Sequence, residues 1–77
     1  MTDQDMLDAN KKQLIAARSS MRARDFRTGA WGLSTAMHYL NEMPDSSGKQ
    51  ELLTLHQDIV EEGVRLWRAL CVEPVQE

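Results

Sequence analysis

FRTGAWGLSTAMHYL, residues 26–40, carries Phe26, Ala30, Leu33, Met37 and Leu40 at spacings of 4, 3, 4 and 3. A helix of 3.6 residues per turn gathers such positions into one stripe, so the segment is expected to be an amphipathic α-helix. Asp25 is placed to cap it by accepting a first-turn backbone N–H. Thr28 is the alternative cap and would leave Phe26 in the turn. Pro44 lacks a backbone donor and disfavours helix at Met43, which ends the segment near residue 43. Gly29, Gly32 and Ala36 run beside the stripe. An interior glycine costs about 1 kcal/mol against alanine, so two of them predict close approach of a neighbouring helix. The other reading puts Gly29 in the turn, where it costs nothing.

Working outward, a helix is expected on each side. The first spans about residues 3–24, with Thr2 or Asp3 as N-cap. Asp5 and Asp8 suit the positive end of its dipole, and Arg18, Arg22 and Arg24 the negative end. Its stripe of Leu7, Leu14 and Met21 at heptad spacing is thin, and this helix is expected to be the least firmly anchored. Pro44-Asp45-Ser46-Ser47-Gly48 reads as a loop, and Ser47 with Gln50 as a capping box. The last helix then covers about residues 48–72. Its polar stripe is narrow (Thr54, Asp58, Glu61, Arg65, Arg68), and Leu52, Leu53, Leu55, Ile59, Val60, Val64, Leu66, Trp67 and Leu70 form a broad apolar face. It is expected to be the backbone of the core, with Cys71 as a small buried hydrophobe. Residues 73–77, containing Pro74, are expected to be a flexible tail. The fold class is therefore all-α, one helical domain over 1–77: a three-helix up-down-up antiparallel bundle, or a helical hairpin plus one helix.

A chain of 77 residues buries only about 60% of its unfolded surface, so its stability is expected to lean on outside help. Cys71 is the sole cysteine, which rules out an intrachain disulfide and is consistent with a reducing compartment. No apolar run approaches the roughly 18 residues of a membrane span, and the acidic Met1–Asp5 start is unlike a secretory signal; the expected location is cytoplasmic. Oligomerisation or a partner remains as the source of extra stability. The net charge of −3 conceals segregation: residues 11–27 carry +5 and residues 42–77 carry −5. That pattern favours oriented packing or complementary assembly.

Arg24-Asp25-Phe26 through Ala36, closing at Met43-Pro44-Asp45-Ser46, resembles the second half of a tetratricopeptide repeat. Phe26 stands at the aromatic position, Ala36 at the later alanine, and Gly29 where the earlier alanine is usual. The resemblance covers about 20 of the 77 residues. The first helix departs from the pattern, lacking its Trp, Leu-Gly and Tyr positions. The resemblance implies a helical hairpin that binds peptides or helices. The chain is also similar in size and helix layout to small acidic co-chaperones of bacterial type III secretion, with no motif residues matched.

Trp31 lies off the main stripe, on a face with Arg27, Thr35 and His38. Tryptophan is enriched among the residues that dominate interface energetics, and Arg27 is within reach of its ring. Interface and core are open in equal measure for it. The expected partner-binding set is Trp31, Arg27, Thr35, His38, Arg22 and Arg24. No catalytic set, cofactor motif or small-molecule substrate site is evident, and no enzyme is expected. His38 and His56 lack a third ligand for a metal, and His56 reads as a hydrogen-bonded core histidine. The expected function is protein–protein association, as an adaptor, chaperone or inhibitor, with another protein or a second copy as partner. The alternative is a nucleic-acid-associated regulator using the Arg18–Arg27 cluster. Against it stand the net acidity and an apolar helix after the turn where base-reading side chains belong.

Overall fold

The computed structural model describes residues 2–72, which form α1 (Asp3–Arg22), α2 (Phe26–Asn41) and α3 (Ser47–Val72). The short connections reverse the chain twice, so α1 and α3 run parallel with α2 antiparallel to both. The result is a three-helix bundle in which all three pairs touch and α2 against α3 is the slightest pair. The expected flexibility of residues 73–77 concerns a segment outside the described residues. Among the described residues no helix is long and apolar enough to cross a membrane.

Capping fixes the boundaries. Thr2 accepts the Asp5 N–H while Asp5 accepts the Thr2 N–H, a complete capping box at α1. Asp25 accepts the Thr28 N–H and starts α2, as expected, with Phe26 as the first helical residue. At α3 the cap is Ser46, one residue before the expected Ser47. Its hydroxyl accepts the Lys49 N–H at 3.1 Å, and its carbonyl accepts the Gln50 N–H at 3.0 Å. Lys49 fixes this choice by reaching back to donate to the Met43 carbonyl at 2.9 Å, closing the end of α2.

α1 ends two residues before the expected Arg24. The Asp25 N–H bonds the Ser20 carbonyl at 2.8 Å and the Arg24 N–H bonds that of Met21 at 3.0 Å, the paired bonds of a Schellman turn. Arg24 takes the left-handed position of that turn, with φ at 68°.

The core corrects the expected ranking of the helices. Leu14 is fully buried, Ala17, Met21 and Asn10 are nearly so, and α1 is the element that packs extensively on both others. The reason is the glycine notch. A Cβ at Gly32 would lie 3.3 Å from that of Ala17, and one at Gly29 would lie 2.9 Å from the Met21 sulfur. The two glycines let α1 settle onto α2 at close range, which deepens a stripe that looks thin in sequence. Gly63 of α3 faces the same sulfur, 3.1 Å from a Cβ placed there, so the Met21 thioether lies between glycines of two helices. α2 therefore has two seams: Gly29 and Gly32 toward α1, and Phe26 and Leu33 toward α3.

α3 is the reverse case. Of its broad apolar face only Leu52 and Ile59 are buried, and Val64, Trp67 and Leu70 are exposed. Met21 stands level with Gly63, so α3 continues for more than two turns past the level at which α1 ends. Cys71 lies on that extension and is exposed, against the expectation of a buried position.

Candidate functional site

Two faces carry exposed aromatic side chains beside open grooves; Ile15 of α1, also exposed, lines neither. The first is the open groove between α2 and α3. Phe26, Ala30 and Leu33 line one wall and Val60, Gly63, Val64 and Trp67 the other, with Met21 at the floor, enclosing about 290 Å³. Its aromatic end is organised. The Phe26 and Trp67 rings meet edge to face at 5.4 Å and 88°, which leaves Trp67 53% exposed and held in place. Farther along, His56 reaches across from α3 to the Leu33 carbonyl at 3.2 Å, which requires the proton on Nε2. This is the hydrogen-bonded histidine that the sequence suggested.

The second face is the outer surface of α2 beside α1. Trp31 is 68% exposed, resolving the interface-or-core alternative toward the surface. It borders a shallow groove with Gln13, Ala16, Ser20 and Thr28. Tyr39, two turns along the same helix, borders another with Met6, Ala9 and Asn10. Thr35 lies between them and donates its hydroxyl hydrogen bond to the Trp31 carbonyl at 2.9 Å, so its proton is committed locally and its oxygen can act only as an acceptor. His38 is exposed, meets Tyr39 edge to face and lies 3.5 Å from Glu42. Arg27 is exposed on the same outer side. Neither aromatic contact among the described residues involves Trp31. His38 thus points outward and His56 inward, and among the described residues no three His, Cys, Asp or Glu side chains gather as a metal site.

The other expected site residues, Arg22 and Arg24, have structural partners. Arg22 grips Glu62 with two hydrogen bonds, Nε to Oε2 at 2.6 Å and Nη2 to Oε1 at 3.1 Å. The bond from Arg22 holds the Glu62 carboxyl below the usual carboxylate range, and the same pairing raises the Arg22 guanidinium. Arg24 donates to the Arg22 carbonyl at 2.9 Å.

The bundle gives these charges an arrangement that sequence order hides. Because α2 reverses, Arg18, Arg22, Arg24, Arg27, Arg65 and Arg68, all six arginines of the chain, collect at one end. Asp3, Asp5, Asp8, Glu42, Asp45 and Glu51 collect at the other. Among the described residues, even with Asp25, Glu61 and Glu62 at the arginine end and Lys49 at the other, charge is separated along the bundle.

No family model, curated protein or solved structure matches this chain. The functional reading therefore rests on the two faces and the charge axis. Sequence reasoning found Trp31 because it lies off the stripe. It expected part of α3 or α1 to supply apolar anchors, but did not place them in an α2/α3 groove, because the broad apolar face holding Val64 and Trp67 reads mainly as the backbone of the core. The signal was the length of α3, which at 26 residues outruns the 16 of α2.

Proposed function

We propose that this chain works by protein–protein association, burying helix against helix, as an adaptor, small chaperone or inhibitor in the cytoplasm and not as an enzyme. The observation that carries this reading is the α2/α3 groove: an apolar trough with a fixed, half-exposed tryptophan at its rim. Buried aromatic anchors contribute a large share of interface energy, and contiguous apolar surface on a small chain marks a binding surface. Trp31 with Arg27, Thr35 and His38 adds a second contact on the outer face of α2. Arg22 and Arg24 contribute to orientation through the charge they bring to the arginine-rich end.

The test is photocrosslinking in native cells. A photoreactive residue at position 64 should trap a protein, and one at exposed Asp58 should trap none. The trapped protein, once purified, should bind Val64→Glu about ten-fold or more weakly than wild type, with Trp31→Ala giving a smaller loss. Trapping at neither 64 nor 31 would remove the reading.

The gathered arginines favour one second reading, a nucleic-acid-associated regulator. Asp25, Glu61 and Glu62 interleave them, and Arg22 is committed to Glu62. Titration with duplex and single-stranded DNA and RNA at two salt concentrations decides it. Binding that falls steeply with salt supports it, and no binding at low salt ends it.

A further inference from the structure

We infer that the α2/α3 groove is covered by a second copy of this chain lying antiparallel to the first, an inference that rests on the association reading above. A two-fold axis perpendicular to the helices, near the level of Leu33 and Val60, would lay α3 on α3 and α2 on α2 in opposite directions. Each copy then offers the same patch, as an isologous dimer requires. On α3 that patch is Leu53, Val60, Val64 and Trp67, one side of the helix at alternating three- and four-residue steps apart from Gln57, which fills the gap between Leu53 and Val60. Trp67 of one copy falls over the Leu53 end of the other. The aromatic end of each groove thus covers the aliphatic end of its mate.

The charge axis selects this occupant and this direction. Two copies set side by side in parallel would bring together two arginine ends, each still net positive because Asp25, Glu61 and Glu62 offset only three of its six arginines. They would also bring together two acidic ends, in which Lys49 offsets one carboxylate of six. Antiparallel copies set the arginine end of each beside the carboxylate end of its mate. A chain whose own two ends are complementary needs no foreign surface to satisfy them. The face formed by α2 and its neighbour measures about 24 Å by 20 Å, on the order of 500 Å² per copy, at the low end for a specific dimer. The dimer supplies burial that a chain of this length lacks.

The experiment is sedimentation equilibrium of the whole chain from micromolar to millimolar concentration at low and high salt, alongside Val64→Glu and Trp67→Ala. Both positions are substantially exposed, and helical circular dichroism confirms that each variant folds. The expected result is a concentration-dependent dimer, weakened by salt and weakened about ten-fold or more in each variant. Disulfide trapping reads the direction. In a Cys71→Ser background, mixed Gln50→Cys and Arg68→Cys chains should join 50 to 68, because both lie on the same rim of α3. A monomer at every concentration, variants that dimerise like wild type, or dominant 68-to-68 joining would each overturn the inference. A monomer that still traps another protein at position 64 overturns the second copy alone. A monomer that traps nothing at 64 or 31 removes the association reading with it.

Discussion

α1 and α3 run side by side in the same direction, and they use apolar residues in opposite ways. α1 has few, yet Leu14, Ala17 and Met21 are almost wholly removed from water. α3 has many, yet Val64, Trp67 and Leu70 stand 42%, 53% and 44% exposed, and of the large hydrophobic side chains in that stretch Leu66 packs against the core. The difference comes from backbone distance and helix length. Glycines at positions 29, 32 and 63 bring neighbouring helices close to α1, so that Ala17 and Met21 are tightly enclosed, while Ile15 of the same helix stays exposed. α3 outruns its neighbours, and its surplus face is left without cover. Enclosure holds this bundle together, and the uncovered surplus is the surface on which the proposed association rests.

The strongest way to break the comparison is to truncate one apolar side chain on each helix, buried Leu14 on α1 and exposed Val64 on α3. Leu14→Ala should cost about 3 kcal/mol, within the range for burial of this completeness. A chain of this size is stable by roughly 4–11 kcal/mol, so the melting temperature should fall by about 15 °C or more. Val64→Ala should move stability by less than about 0.5 kcal/mol, because the site is already wet. Equal losses in a thermal melt of both variants would mean that α1 and α3 are not the unequal partners described above.

The glycine notch gives the next largest effect. Gly32→Val should destabilise by about 2 kcal/mol, because its methyls meet the Ala17 Cβ and the α1 backbone, which have no freedom to turn aside. The same change at Gly63 meets the Met21 thioether, a flexible group, and should cost less. In an Ala17→Gly background the added penalty at position 32 should shrink by about 1 kcal/mol, a coupling that a double-mutant cycle measures. Additive costs would place the close approach elsewhere.

These elements also mark how far the sequence could be read. Three helices, the caps at Thr2 and Asp25, and the close packing at Gly29 and Gly32 were legible because each rests on local chemistry or on spacing within one helix. The cap at Ser46 was not, since two adjacent serines qualify equally and the choice is made by Lys49 reaching back to Met43. The depth of α1 was hidden because the width of a stripe does not report how closely a neighbour approaches. Cys71 and Trp67 were misplaced for a related reason: their exposure depends on the stagger of α3 against α1, which no single helix encodes. For the candidate site, the outer α2 face was visible from Trp31, whereas the groove and the arginine end exist only once α2 has reversed.

A smaller effect of opposite sign is expected where α1 stops. Arg24 occupies the left-handed position that glycine fills at no steric cost, a conformation worth about 1–2 kcal/mol to any residue with a Cβ. Arg24→Gly relieves this but gives up the bond to the Arg22 carbonyl and adds freedom to the unfolded chain, so a net gain of about 0.5 kcal/mol is expected. If Arg24 serves association, the same variant should be more stable and bind less well. Stability and binding that rise together would assign this residue to the turn alone.

The smallest effect concerns the ion pair that ties α1 to α3 among the described residues. Arg22 holds the Glu62 carboxyl below its ordinary range, so the pair adds stability above the unfolded value of about 4.3 and loses it as pH falls through the lower folded value. Wild type and Glu62→Gln should therefore melt at different temperatures near neutral pH and converge in acid. The gap should also narrow in high salt, because Arg22 is largely exposed and the pair is screened. A gap that persisted below the folded value, or that ignored salt, would show Glu62 acting through packing. In that case α3 would be anchored to α1 at this level by burial, and the contrast between the two helices would begin only beyond it, at Val64.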